Sequence, residues 1–429
     1  MVSMPHWPIP YGTKDVRLGR KRVLELLSRV GNPHLVMPNV IHVAGTNGKG
    51  STIAYLKAIF QDAGYDVNTY TSPHIYRFNE RVVLKGHEIT DEELYKICEE
   101  VRLAAAELQT TFFEATTVIA LLAMSRVKSD KEMINLVEVG LGGRLDATNV
   151  FEDPLCSIIT MIDYDHVEYL GTTLTEIAAE KAAILRANSH GVISWQYDEA
   201  ERSIKDVANQ NKVPIFDNGA AWNFTINQDD TWSYEDNHVT FHLPQPGLKG
   251  KHQYMNAATA IAALQTLPNL NVGEENIKKG ILNVKWPARM EKVETGLLYE
   301  LLPQNWELWV DGAHNVGGAK MAALHLSTLK PMRNILINGR TVGRDIRGFL
   351  ECFQGVVDEI YAVPVYSEPK CEKTSEIAKF AHDLNFNCKE VDSVRLALEN
   401  IVKTSDSPCR LLVCGSLYLA ADMLQANVI

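Results

Sequence analysis

The residues best equipped for chemistry lie between positions 39 and 52, Asn-Val-Ile-His-Val-Ala-Gly-Thr-Asn-Gly-Lys-Gly-Ser-Thr. An apolar run (Val40, Ile41, Val43, Ala44) stops at Gly45, and a helical pattern begins after Lys49. A strand, a glycine turn and a helix N-terminus together offer an anion backbone N–H groups and the positive end of a helix dipole. Lys49 adds a point charge for outer phosphates, and Ser51 or Thr52 a hydroxyl for a magnesium ion. The spacing departs from the usual nucleotide loop. Gly45 and Gly48 enclose only Thr46 and Asn47, and Gly50 separates Lys49 from Ser51. Three glycines around one lysine, between strand and helix, still favour a phosphate loop over a plain βα turn.

Other reactive groups stand at the ends of apolar runs. Glu138 closes the run Ile134–Val139, and a buried carboxylate there needs a metal or an internal arginine as partner. Asp165-His166 follows the run Leu155–Ile162, so His166 is either a metal ligand or a satisfied loop histidine. Lys181, in a helix over 173–184 with Glu176 and Glu180 before it, reads as a site residue or as an ordinary Glu–Lys surface pair. Asp311-Gly-Ala-His314-Asn315 follows Trp309-Val310, where Asp suits ribose hydroxyls or helix capping. Arg289 is placed to reach phosphates or to pair an interdomain acid.

These groups need a scaffold that collects strand ends. The chain has 429 residues, so two domains are expected, split at 294/295 where Glu291–Gly296 is polar. Strands (66–71, 134–139, 155–162) alternate with helices (15–30, 90–101, 114–127, 173–184, 253–267). This predicts a two-domain α/β fold with a P-loop-type doubly wound first domain. Alternation in Trp222–Leu243 predicts a small antiparallel insertion. Strand-like runs at 297–302, 308–310, 335–337, 360–363 and 411–414 predict a smaller Rossmann-like α/β second domain. In such sheets ligands bind beyond the carboxyl ends of the strands, and a cleft between the domains is the expected site.

Composition narrows the class. Net charge is −11 from 42 Lys+Arg and 53 Asp+Glu, without the basic field expected of a nucleic-acid protein. The seven cysteines are scattered with no Cys-x-x-Cys, which argues against disulfides or structural zinc and fits a reducing cytoplasm. No secretory segment or ~18-residue apolar run is present, so no membrane association is expected.

Joined, the motifs resemble those of the folylpolyglutamate synthase and dihydrofolate synthase family, within the Mur ligase superfamily. The matching segments are His42–Ser51, Thr71-Ser-Pro-His74, Phe78-Asn-Glu-Arg81, Phe112-Phe-Glu114, Val137–Asn149, Glu180-Lys-Ala182 and Asp311–Asn315. The resemblance implies that Thr46, Asn47, Gly48, Lys49, Gly50 and Ser51 cradle ATP phosphates, with Asn256, Arg289, Asp311 and His314 as further ATP contacts. It implies that Ser72, Glu138 and His166 hold magnesium, as two ions, and that Lys181 is carbamylated. Lys49, Lys181 and His166 would then be the catalytic groups. Gly19, Arg22, Glu114, Thr117, Gly143, Arg144 and Leu145 match the substrate side. Four segments depart from the family. They read Asp163-Tyr-Asp-His166, Trp286-Pro-Ala-Arg289, Val316 after Asn315, and Asn338-Gly-Arg-Thr-Val-Gly-Arg344-Asp345 in place of a lysine-rich version.

The expected reaction follows. ATP phosphorylates the carboxylate of dihydropteroate or a folate, and the amine of L-glutamate displaces phosphate from the acyl phosphate. A monomer acting on small molecules is expected. The rival readings are a Mur-type ligase of peptidoglycan precursors and a non-catalytic ATP-binding module. The early arrival of the loop at Gly45 leaves little room for the extra N-terminal domain usual in nucleotide-sugar ligases.

Overall fold

A computed structural model describes residues 18–428. The chain divides into two compact units. The first comprises residues up to 247 and 253–285, and the second 248–252 and 286 onward. Val16, expected within the first helix, lies outside the described residues.

In the first unit, α1 (Arg20–Arg29) precedes β1 (Val40–Ala44), and α2 (Lys49–Asp62) leads to β2 (Asp66–Tyr70). A hairpin follows, β3 (Val82–Leu84) and β4 (His87–Glu88), then α3 (Asp91–Ala105), α4 (Phe112–Ser125) and β5 (Met133–Glu138). Next come β6 (Cys156–Ile159), α5 (Val167–Leu170), α6 (Leu174–Ala182), β7 (His190–Ile193), α7 (Asp198–Gln210) and β8 (Ile215–Asp217). The sheet order is β4-β3-β2-β5-β1-β6-β7-β8, parallel from β2 to β8, with the β3–β4 hairpin antiparallel at its edge. Every residue of β1 and β5 is buried, as a central parallel strand covered on both faces requires. The chain moves from β1 to β2 on one side and from β5 across to β6 on the other. The end of β1 is therefore the switch point at which a crevice opens.

Capping boxes start three of the helices. Glu93 N donates to Thr90 Oγ1 at 3.2 Å in front of α3, and Thr111/Glu114 and Thr173/Glu176 repeat the device at α4 and α6. Leu94, Cys98 and Val101 of α3 pack with α1 and α4 in one core, while Ile177, Ala178, Ile204 and Ala208 build a second around α6 and α7.

The small insertion is a three-stranded meander, β9 (Trp222–Ile226), β10 (Trp232–Asp236) and β11 (Thr240–Leu243). Its middle strand buries Trp232 and Tyr234. The helices α8 (His252–Gln265) and α9 (Glu274–Asn283) complete this part of the chain.

The second unit runs β12 (Glu291–Val293), β13 (Glu307–Asp311), α10 (Val316–Thr328), β14 (Arg333–Asn338), α11 (Ile346–Glu351) and β15 (Glu359–Ala362). It continues through α12 (Thr374–Asp383), β16 (Asn387–Glu390), α13 (Val394–Thr404), β17 (Cys409–Cys414) and α14 (Leu417–Val428). The sheet order is β12-β13-β17-β14-β15-β16, with β12 antiparallel and the rest parallel.

The polar stretch around 291 pairs with β13 as an edge strand, and the chain from Trp286 onward is part of this compact unit. One expectation changes here. Residues 297–302 form no strand but a short 3-10 turn over Tyr299–Leu301. The Asn427 side chain takes the N–H groups of Leu298 and Tyr299, which removes them from any ladder.

Thr90→Ala removes one capping partner of α3 and should cost about 1 kcal/mol of unfolding free energy. Urea unfolding with an unchanged denaturant slope checks this, and an unchanged midpoint would contradict it.

Candidate active site

The loop after β1 is fixed by its neighbour β6. Thr46 N and Asn47 N donate to Met161 O at 3.0 and 3.2 Å. The Thr46 hydroxyl donates to Asp163 O at 3.0 Å, and Asp163 N donates to that hydroxyl at 3.1 Å. Gly45 has φ 147 and lies so close to Thr160 that a Cβ would collide with its hydroxyl. Gly48, at φ 92, lies against the Asn256 side chain of α8, which in turn donates to Gln253 Oε1 at 3.1 Å. The short spacing thus lets α8 close on the loop. Gly50 and Ser51 lie in the first turn of α2, where N–H groups have no intrahelical acceptor.

Two ammonium groups converge on this loop. Lys49 Nζ donates to Gly45 O at 3.1 Å and to Thr46 O at 3.2 Å. Lys181 Nζ, from α6, donates to the same Gly45 O at 3.0 Å. Lys181 is buried at 5% exposure, so the surface-pair reading fails. Burial, with the Lys49 charge second, lowers its pKa from 10.5 to about 7, while Asp146 acts in the opposite direction.

Glu138, buried at the end of β5, accepts from Ser72 N at 3.1 Å, and its other oxygen is 4.0 Å from Lys49 Nζ. Ser72 and Glu138 therefore meet beside the phosphate loop. His166 is held through its backbone N–H on Asp165 Oδ1 at 2.9 Å, in a left-handed conformation at φ 52. Among the described residues no group of three or more His, Cys, Asp and Glu is placed to hold a metal. The Ser72 hydroxyl and Glu138 carboxylate are hard oxygen donors, which fits magnesium, an ion that keeps water and phosphate oxygens in its shell.

The substrate-side residues behave differently from one another. Arg22 pairs with Glu114 through two contacts, Nε–Oε2 at 3.1 Å and Nη2–Oε1 at 2.7 Å. Glu114 also accepts from Thr111 N at 2.7 Å, so the cap of α4 and this ion pair share one carboxylate. Thr117 is fully buried, with its hydroxyl donating to Phe113 O and bonded to Tyr70 Oη. Gly143 packs on the backbone of Glu180 and Lys181, Arg144 pairs with Glu180 at 2.8 Å, and Leu145 is half-buried. Gly19 stands in extended backbone immediately before α1.

Sequence reasoning left one cluster without roles. Arg81 Nε donates to His74 Nδ1 at 2.8 Å, and its guanidinium lies 5.6 Å from the Phe78 ring and 5.5 Å from Phe112. Burial holds the His74 pKa at about 4, so the ring is neutral at pH 7. Aromatic residues flanking an arginine within a glycine-free loop were the available signal. Asp146 is a second such residue, buried and accepting from Leu141 N and from Thr148 N and Oγ1.

In the second unit Asp311, at the end of β13, accepts from Met290 N at 2.7 Å and Ala313 N at 2.8 Å. Burial raises its pKa, and the Arg289 charge counters this. His314 Nδ1 is 3.2 Å from Gly312 O, and Asn315 caps α10 through Gly318 N. Asp311, Arg289 and His314 thus share one strand end.

A parallel sheet with a phosphate loop at its switch point and a second α/β unit defines an ATP-dependent ligase architecture of the Mur type. Residues 43–264 match the Mur ligase middle domain, and residues 295–426 match the dihydrofolate synthetase C-terminal domain. The Escherichia coli dihydrofolate synthase/folylpolyglutamate synthase is 31% identical over 96% of this chain and 92% of its own. The Bacillus subtilis protein of the same name is 34% identical over 75% and 74%. The Escherichia coli FolC structure in complex with DHPP and ADP superposes with TM-score 0.86, at 31% identity over 96% of this chain and 94% of that one. The chain belongs to the dihydrofolate synthase/folylpolyglutamate synthase family.

The depressed pKa of Lys181 has a measurable consequence. Between about pH 7 and 10.5 the unfolded chain binds a proton at this position that the folded chain has released. Wild-type stability should therefore rise with pH through that window relative to Lys181→Met, measured by chemical unfolding in carbon dioxide-free buffer. Parallel stability curves for the two proteins would contradict the burial effect.

Proposed function

We propose that this protein ligates L-glutamate to dihydropteroate or a folate at the expense of ATP, through an acyl phosphate, as its family and its site chemistry favour. The observation that carries the reading is the convergence of Lys49 and Lys181 on Gly45 O, beside the Glu138 carboxylate. A carboxylate cannot acylate an amine directly because oxide is a poor leaving group. Its oxygen attacks the γ-phosphorus, ADP leaves, and the glutamate amine then attacks the acyl carbon, expelling phosphate and losing a proton. Lys49 neutralises charge on the transferring phosphoryl oxygens. The residues Thr46–Ser51 and Asn256 hold the phosphates, and Arg289, Asp311 and His314 are the further nucleotide contacts. Gly19, Arg22, Glu114, Thr117, Gly143, Arg144 and Leu145 shape the acceptor side, Arg22 and Glu114 as a pair and Thr117 from within the core.

Ser72, Glu138 and His166 are the residues to hold magnesium, as two ions, which when bound spread the charge of the phosphates. A family structure solved with Mn, AMPPNP and L-glutamate, at 30% identity over 95% of this chain and TM-score 0.84, supports the use of a divalent ion. Lys181 is the residue to be carbamylated, since an amine with pKa about 7 is substantially neutral at physiological pH. The reading extends to a cytoplasmic monomer acting on small molecules, without nucleic acid or membrane. Among the described residues no helix is long and apolar enough to cross a membrane.

Purified protein with ATP, magnesium and L-glutamate should release phosphate when dihydropteroate or folate monoglutamate is added. Folded protein inactive with both acceptors would overturn the reading. Lys49→Ala should lose about 3 kcal/mol of transition-state stabilisation, roughly two orders of magnitude in turnover. Unchanged turnover would remove Lys49 from the mechanism.

A further inference from the structure

Arg340 is fully buried directly beyond β14. Its Nη2 donates to two backbone carbonyls, His314 O at 3.2 Å and Asp345 O at 3.3 Å, and its guanidinium lies 4.0 Å from the Phe349 ring centroid. Nε and Nη1 have no partner. Among the described residues no carboxylate forms an ion pair with it. Burial lowers its pKa to about 10, so the side chain remains a cation at pH 7.

Such a residue is a poor choice for stability. The charges of Asp345 and Glu372 favour its cation without pairing with it, and burial outweighs them, so two long hydrogen bonds to neutral carbonyls do not offset the desolvation of the guanidinium. An apolar side chain of similar volume would pack there at lower cost. What it would not provide is a two-pronged link between loops. One loop runs from Asp311 to Asn315 between β13 and α10, and the other from Thr341 to Asp345 before α11. Asp311 is anchored through Met290 and Ala313, and Asn315 through its cap on Gly318. His314 lies between these anchors, and Arg340 takes its carbonyl.

We infer that Arg340 is a positioning residue that fixes the His314 loop, and that nucleotide affinity depends on it. This rests on the nucleotide role proposed above for Asp311 and His314. The full chain is compared with Arg340→Met, which keeps volume but removes both donors, and with Arg340→Lys. In Arg340→Met the KM for ATP should rise on the order of tenfold, while the KM for the folate acceptor stays within about twofold. The thermal midpoint should not fall, because the unpaired buried N–H groups go with the guanidinium. Arg340→Lys retains charge and one donor at a time, so its KM for ATP should lie between the two. Equilibrium ADP binding gives the same order of affinities whether or not an acceptor turns over, so failure of the ligase reading leaves this test intact. Wild-type ADP affinity in Arg340→Met would overturn the inference. So would a lowered thermal midpoint with every KM raised together, since that is the signature of a merely structural role. Should Arg340→Met not fold, an ADP affinity of Arg340→Lys equal to that of wild type would overturn it, and a weaker one would support it.

Discussion

Lys49 and Lys181 donate to one carbonyl oxygen, that of Gly45, at 3.1 and 3.0 Å. The charge of Lys49 adds to burial in disfavouring the ammonium form of Lys181. The arrangement persists because the surrounding chain holds each partner independently. Gly45 is pinned by Thr160 on the neighbouring strand, and its backbone conformation with its lack of side-chain space makes glycine the residue that fits. Lys49 opens α2, and Lys181 arrives from α6, whose Glu180 O accepts from Arg144 N in the loop after β5. The order β5-β1-β6 is what makes these meet, since Glu138 ends β5 on one side of β1 and the segment after β6 carries Asp163 on the other.

Much of the first unit was readable because its signals are local. A strand, a glycine turn and a helix start are adjacent in sequence between 39 and 52, and the Thr90/Glu93 box declares α3 without reference to any other element. The edge elements were harder to see. The β3–β4 hairpin, β7 and β8 are short, and their residues become strands by pairing with a sheet already formed. Glu114 shows the opposite limit. The Thr111–Glu114 spacing declared a cap as clearly as Thr90–Glu93 did, yet resemblance drew attention to the ligand side alone. Its pairing with Arg22, separated by 92 positions, could not be read from spacing.

In the second unit the strand ends were legible and the chain between them was not. Residues 297–302 are apolar enough for a strand, but a remote Asn427 captures two of their N–H groups and leaves a turn. Glu291–Val293 looks polar because an edge strand beside β13 exposes one side. Ala288 adopts φ 55, a left-handed conformation that glycine enters without steric cost and that costs alanine about 1 kcal/mol. The strain sits beside Arg289 and is held by Gly312 N donating to Ala288 O at 2.9 Å, so the strand end carrying Asp311 over-determines it.

The two lysines of the first unit differ in what offsets their charge, and this divides their chemistry. Lys49 is partly exposed and has the Glu138 carboxylate 4.0 Å away, so its positive form is supported by both solvent and a counter-ion. Lys181 is closed off from water, and the offsetting charge from Asp146 is outweighed by burial and by Lys49. Burial thus drives Lys181 towards the neutral amine, the form that the proposed carbamylation requires. Were the two side chains equally exposed, both would remain ammonium groups at pH 7, and neither would be available as a nucleophile. The depth of α6 against the loop, set by Gly143 packing on the backbone of Glu180 and Lys181, is therefore a chemical variable as well as a packing one.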